Sequence, residues 1–135
     1  MKKLFFIFFI IVLVMAGCGK KEKIDEKEMS RLGSALTKLS SAVESTVRYK
    51  KPPKGISDAD LLKLATQHDP KLLEPFSKYT LKVQQENRHG IVLVCDKKGK
   101  RGLLEDAGCS RAMDANLWRS KASCKFTLNA DSVCR

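Results

Sequence analysis

The chain has 135 residues, 26 of them lysine or arginine against 15 acids, for a net charge of +11. That length supports one compact domain with a tether and excludes two ordinary domains. The basic excess favours anionic partners such as lipid headgroups, phosphorylated envelope glycans or nucleic acid, although such a field steers without specifying.

The chain opens with Met1-Lys2-Lys3, runs from Leu4 to Val14 without a polar side chain, and reaches the small residues Ala16 and Gly17 before Cys18. A charged start, an apolar middle and a small-residue cleavage site make up a secretory signal, and the apolar run is shorter than the roughly 20 residues that span a bilayer. Met15-Ala16-Gly17-Cys18 resembles a lipobox, with methionine where leucine is usual. The resemblance, which covers the leader alone, implies a bacterial lipoprotein cut before Cys18 and held to its membrane by palmitate-like chains on that cysteine. Ordinary secretory cleavage and a retained anchor are the alternatives. Several acyl chains at ~0.8 kcal/mol per buried methylene exceed the reversible binding that one chain gives. Gly19 replaces the aspartate that retains such lipoproteins at the inner membrane, which implies the outer membrane facing the periplasm; a cell-surface location in a single-membrane organism stays open. The leader has two lysines and no acids, so residues 18–135 keep 24 basic against 15 acidic residues, a charge of +9.

Residues 18–28 read as a lipidated, solvated tether, since GKKEKIDEKE has one substantial apolar group, Ile24. From there, Met29, Leu32, Leu36, Leu39, Val43 and Val47 fall at steps of three and four and predict an amphipathic helix. The stripe suits docking on its own domain; self-association through it is the alternative. Arg48, Lys50 and Lys51 oppose the helix's negative pole before Pro52-Pro53 ends it, and together with Lys54 they form a first candidate anion site.

Ser57 is placed to cap a short helix containing Leu61, Leu62, Leu64 and Ala65; Asp69-Pro70 predicts another, ahead of Leu72, Leu73 and Phe76. The period then changes. Tyr79, Leu81 and Val83 alternate with polar residues as a half-buried strand, Asn87 to Gly90 supply a turn, and Ile91 to Cys95, apolar on both faces, predict a central strand. A second turn, Lys97-Lys98-Gly99-Lys100, leads to a strand around residues 101–106. Its cluster Lys97, Lys98, Lys100 and Arg101 is the second candidate anion or partner site, and a merely solubilising turn is the plainer reading. Beyond it the pattern suggests a short helix over Ser110–Trp118 and a last strand at Cys124–Leu128.

Cys95, Cys109, Cys124 and Cys134 remain once Cys18 is set aside, and an even count in an exported domain implies two disulfides. The local pairing, Cys95–Cys109 with Cys124–Cys134, is the expectation. No CxxC spacing occurs and His68 and His89 are remote in sequence from most of the set, so neither a metal nor a cofactor is expected. Neither histidine sits in a catalytic motif, and the adjacent Glu105 and Asp106 point to opposite faces of a strand, which spoils a paired-carboxylate site. Tyr49, Tyr79 and Trp118 are scattered and only Phe76 and Phe126 lie beyond the leader, a thin stacking surface that argues against nucleic acid.

The expected fold is α+β: residues 29–135 form one domain in which an amphipathic helix and short helices pack on a small antiparallel sheet, with a disulfide-stapled carboxyl-terminal half. The order of helix, meander and terminal cysteine pair resembles the plan of type IV pilin subunits in architecture, without their Gly-Phe-Thr-Leu-Ile-Glu processing region. The expected function is that of a lipid-anchored, non-enzymatic envelope module whose basic surfaces take an anionic or protein partner. The alternative is a self-assembling structural lipoprotein that uses the stripe from Met29 to Val47.

Overall fold

A computed structural model describes residues 25–110 and 113–134; the leader, the lipobox-like site and Cys18 lie outside them. The fold is α+β, a four-stranded antiparallel sheet in the order β1-β2-β3-β4 with the amino-terminal helices on one face and the carboxyl-terminal segment, including its short helices, against the other. Helix α1 (Glu26–Lys50) starts where the Asp25 side chain accepts a hydrogen bond from Lys27 N–H, three residues before the predicted stripe begins, and ends at Lys51 in a left-handed conformation. Near its start, Glu28 is gripped by Arg31 and by the Tyr79 hydroxyl, and these partners hold its carboxyl down at about 2. No helix among the described residues is long and apolar enough to cross a membrane.

The stripe is buried within its own domain. Leu32, Leu36, Leu39 and Val43 are fully covered, at ~1.5–3 kcal/mol each relative to exposure, and pack with Val83, Val92, Val94 and Leu104 of the sheet. Helix α2 (Asp58–Ala65), capped by Ser57 as the sequence predicts, adds Leu61 and Leu62 to that core. The second short helix, Pro70–Phe76, is a 3-10 helix; Asp69 makes no side-chain capping bond, and Pro75, without an N–H, interrupts the helix's own hydrogen bonding.

Strands β1 (Thr80–Glu86) and β2 (His89–Cys95) are joined by the two-residue turn Asn87-Arg88, both at positive φ, which matches the twist of a tight hairpin. His89 and Gly90 therefore belong to the strand and not to the predicted turn. β2 is central and apolar on both faces as expected: its even residues meet the helices and its odd ones meet the carboxyl-terminal segment. β3 (Gly102–Ala107) completes the meander.

The region after β3 differs from the expectation. In place of a helix over residues 110–118, the chain makes the two-residue strand β4 (Met113–Asp114) and a short helix α3 (Asn116–Ser120). Residues 124–128 form no strand, because they cross the face of the sheet and do not run along its edge; Thr127 and Leu128 give their N–H groups to the Glu105 side chain. Helix α4 (Ala130–Val133), capped by the Asn129 side chain, closes the described chain.

The expected disulfide pairing is also corrected. Cys95 is bonded to Cys124 and Cys109 to Cys134, with Cα separations of 5.7 and 5.4 Å. Antiparallel pairing of β2 with β3 puts Cys95 beside Gly102 and carries Cys109 past the far end of β3, about 20 Å away at ~3.3 Å per strand residue. A disulfide spans less than 7 Å between Cα atoms, so the local bond is impossible. The segment crossing the sheet reaches Cys95 with Cys124 and Cys109 with Cys134.

Candidate functional site

The basic residues singled out from the sequence divide between two ends of the molecule. Lys97, Lys98, Lys100 and Arg101 lie exposed on the β2–β3 turn, which is held by Asp96: its side chain accepts from Lys100 N–H at 2.7 Å and its carbonyl from Gly99 N–H at 2.9 Å. Lys51 and Lys54 lie at the opposite end of the sheet, where the loop after α1 faces the β1–β2 hairpin. Arg48 and Lys50 stand apart on the exposed end of α1, with Arg48 3.6 Å from Glu44 and Tyr49 between them 80 % exposed.

Lys51 and Lys54 form one rim of an open groove of about 930 Å³, with Arg88 at the hairpin on the other side. Its apolar lining is Val47, Ile56, Leu61 and Val83, so the cations stand over a greasy floor. Local chemistry sets this shape. Pro52-Pro53 stops α1, the left-handed Lys51 and the positive-φ Gly55 fold the loop back toward α2, and the tight Asn87-Arg88 turn puts a guanidinium where a longer loop would not. Glu86, the acid in the lining, accepts hydrogen bonds from Gln84 Nε2 and Ala130 N–H. No thiol, hydroxyl or imidazole lines the groove. Arg88 went unseen in the sequence because it reads there as turn chemistry; only the hairpin register opposite the helix end reveals it.

Three buried carboxyls lie elsewhere, two on β3 and one on α1. Glu105 and Asp106 do point to opposite faces, as strand geometry demands. Glu105 is fully buried and accepts from Thr127 N–H, Thr127 Oγ1 and Leu128 N–H at 2.7–3.1 Å. Glu44 of α1 is the third: Oε1 lies 2.7 Å from His89 Nδ1, and Oε2 accepts from Gly90 N–H at 2.8 Å. His68 is exposed, 2.9 Å from Gln67 Nε2.

Asp106 faces α1 and receives the Ser40 hydroxyl. Burial pushes its carboxyl up to about 6, and the smaller pull of the Ser40 hydrogen bond opposes this. Ser40 Oγ is also 3.2 Å from the Thr37 carbonyl. One hydroxyl proton cannot serve both acceptors, so Ser40 donates to the ionised carboxylate, and once Asp106 is protonated its own O–H can donate to Ser40 Oγ and free the Ser40 proton for the Thr37 carbonyl. The native state therefore binds a proton where the unfolded chain, at the ordinary 3.8, has lost it. Stability from this group is present below pH ~4 and lost as pH rises through ~6, an effect of order 2 kcal/mol. Asp106→Asn, whose amide donates to Ser40 at every pH, is expected to be more stable than the parent at pH 8 by about that amount and to lose the advantage toward pH 4. Urea unfolding of both chains across that range tests it, the difference cancelling the other titrating groups; parallel curves would refute the assignment.

Compared with known proteins, the chain matches no family model, no curated protein and no solved structure.

Proposed function

We propose that this chain is a lipid-anchored envelope protein that binds and does not catalyse, and that the groove between the α1 end and the β1–β2 hairpin is where it takes an acidic, partly apolar segment of a partner protein. The observation that carries the reading is the conjunction of Lys51, Lys54 and Arg88 with the floor of Val47, Ile56, Leu61 and Val83. Exposed cations steer an anionic partner, and the apolar floor supplies the area that retains it.

Anchoring rests on the leader and on Cys18. The groove lies at the far end of α1, whose 25 residues span about 37 Å, so a domain tethered at the start of this helix holds the groove at a distance from the attachment point. The stripe from Met29 to Val47 is occupied by the domain's own core, which favours the groove over self-assembly through that stripe.

A photocrosslinking side chain at position 54 or at position 97, introduced in the cells that make the protein, separates the two basic clusters. Capture from position 54 should fall at least tenfold in Lys51→Gln/Arg88→Gln, at a folding stability within ~0.5 kcal/mol of the parent because these side chains are exposed. Equal capture from both positions, insensitive to that double change, would discard the groove. In the same cells, Cys18→Ser should leave the leader uncut and change the protein's fractionation; an unchanged amino end and an unchanged pellet would discard the anchor.

A further inference from the structure

We infer that reduction of the Cys109–Cys134 disulfide turns that corner of the molecule into a zinc site, with Cys109, Cys134 and His89 as ligands and Glu44 as the group that orients the histidine. A ring nitrogen of His89 and the two sulfurs lie within 4.8 Å of one another. A tetrahedral zinc with bonds of roughly 2.0–2.3 Å needs such atoms about 3.5–3.8 Å apart, so the ligands gather with small side-chain movements once the sulfurs separate. Two thiolates and an imidazole leave the fourth position for water or an incoming group.

Glu44 supplies an independent sign. Its Oε1 lies 2.7 Å from His89 Nδ1, while Oε2 is fixed by Gly90 N–H. A carboxylate that accepts a hydrogen bond from Nδ1–H sets the tautomer and leaves Nε2 with its lone pair, the arrangement that prepares a histidine for a metal. Glu44 is nearly buried, and so is held in place before any metal arrives.

The two disulfides differ in access. Cys95 and Cys124 are buried, at 0 and 6 % exposure, whereas Cys109, Cys134 and His89 are half-buried at the surface. A dithiol reductant therefore reaches Cys109–Cys134 first. It gives two electrons and two protons: its own sulfurs join, the Cys109–Cys134 bond breaks, and two thiols form. Zinc binding then releases those two protons to solvent. Cys134 stays at the site after reduction, because Ala130 is packed against Ile91 and Ala107, its N–H is given to Glu86, and Asn87 donates to Asp131 at 2.5 Å. From the sequence this site is invisible, since His89 is remote from both cysteines and only the hairpin register brings it back.

The test uses the full chain in detergent, with Cys18→Ser so that no other free thiol contributes. After mild treatment with a dithiol, alkylation should find two thiols per chain, at Cys109 and Cys134. In a parallel reduced sample, freed of the dithiol and left unalkylated, zinc should bind one to one, and cobalt in its place should show thiolate-to-metal charge-transfer absorption. His89→Gln is expected to weaken zinc 10- to 100-fold and Glu44→Gln about 10-fold, both with an unchanged helical circular-dichroism signal. Alkylation first at Cys95 and Cys124, no zinc uptake by the two-thiol form, or full affinity in a folded His89→Gln chain would each overturn the inference.

Discussion

Gly108→Ala is expected to lower the stability of the domain by about 3 kcal/mol or more, read as a reduced urea midpoint at unchanged slope. A methyl group built there meets the carbonyl oxygen of Ser40 and Cβ of Glu44 far inside van der Waals contact, and stands 2.9 Å from the Ser40 carbonyl carbon. Two of these three atoms are helix backbone, so no rotamer change relieves the clash, and α1 must lift from the sheet. That displacement pulls on the Ser40–Asp106 and Glu44–Gly90 hydrogen bonds together. Gly90 is the companion position on β2, where an added Cβ would stand 2.7 Å from Val43 Cγ1. Gly33 is the control: in the helix, its Cβ would meet only the end of Met113 at 3.4 Å, and alanine there should stabilise by about 0.5–1 kcal/mol through helix propensity. A Gly108→Ala chain as stable as its parent would show that α1 does not seat on this glycine.

What the sequence discloses in this chain depends on how local the deciding interaction is. The stripe of α1 and the doubly apolar β2 are legible because burial imposes a period on consecutive residues, and the Ser57 cap is legible because it acts over three positions. The disulfides are not, because their pairing follows from register: a chemically reasonable local bond is ruled out once β2 and β3 are aligned. Residues 124–128 alternate like a strand, yet the Thr127 and Leu128 N–H groups are satisfied by a carboxyl from beneath the segment, a solution that no periodicity reveals. The same division runs through the functional residues. Lys51 and Lys54 stand out as a charge run after a helix, but Arg88 joins them only through the hairpin, and His89 meets Cys109, Cys134 and Glu44 only in three dimensions.

Glu105 puts the carboxyl from beneath to a direct test. Glu105→Leu keeps the side chain's bulk and removes both acceptors, so the N–H groups of Thr127 and Leu128 lose their partner together, while the Thr127 hydroxyl keeps Asp114 Oδ2 at 3.2 Å. Hydrogen bonds to such a group are worth ~1.5–3 kcal/mol each, and donors left without an acceptor cost ~1–3 kcal/mol. Thr127 is itself exposed and water recovers part of this, so the expected loss is about 3–4 kcal/mol. Glu105→Gln keeps one acceptor oxygen and turns an amide N–H toward a donor, and should lose roughly half as much. Apolar packing alone would predict the opposite order, with leucine, the more hydrophobic residue in a fully buried place, the more stable of the two. Urea unfolding of the three chains decides between them. Hydrogen exchange adds the location: the Thr127 and Leu128 amides should exchange much faster in Glu105→Leu, while those of β2 slow or quicken only with global stability. If leucine instead stabilises the domain and both amides keep their protection, the crossing segment is held by Phe126, Leu128 and its two disulfides, and not by Glu105.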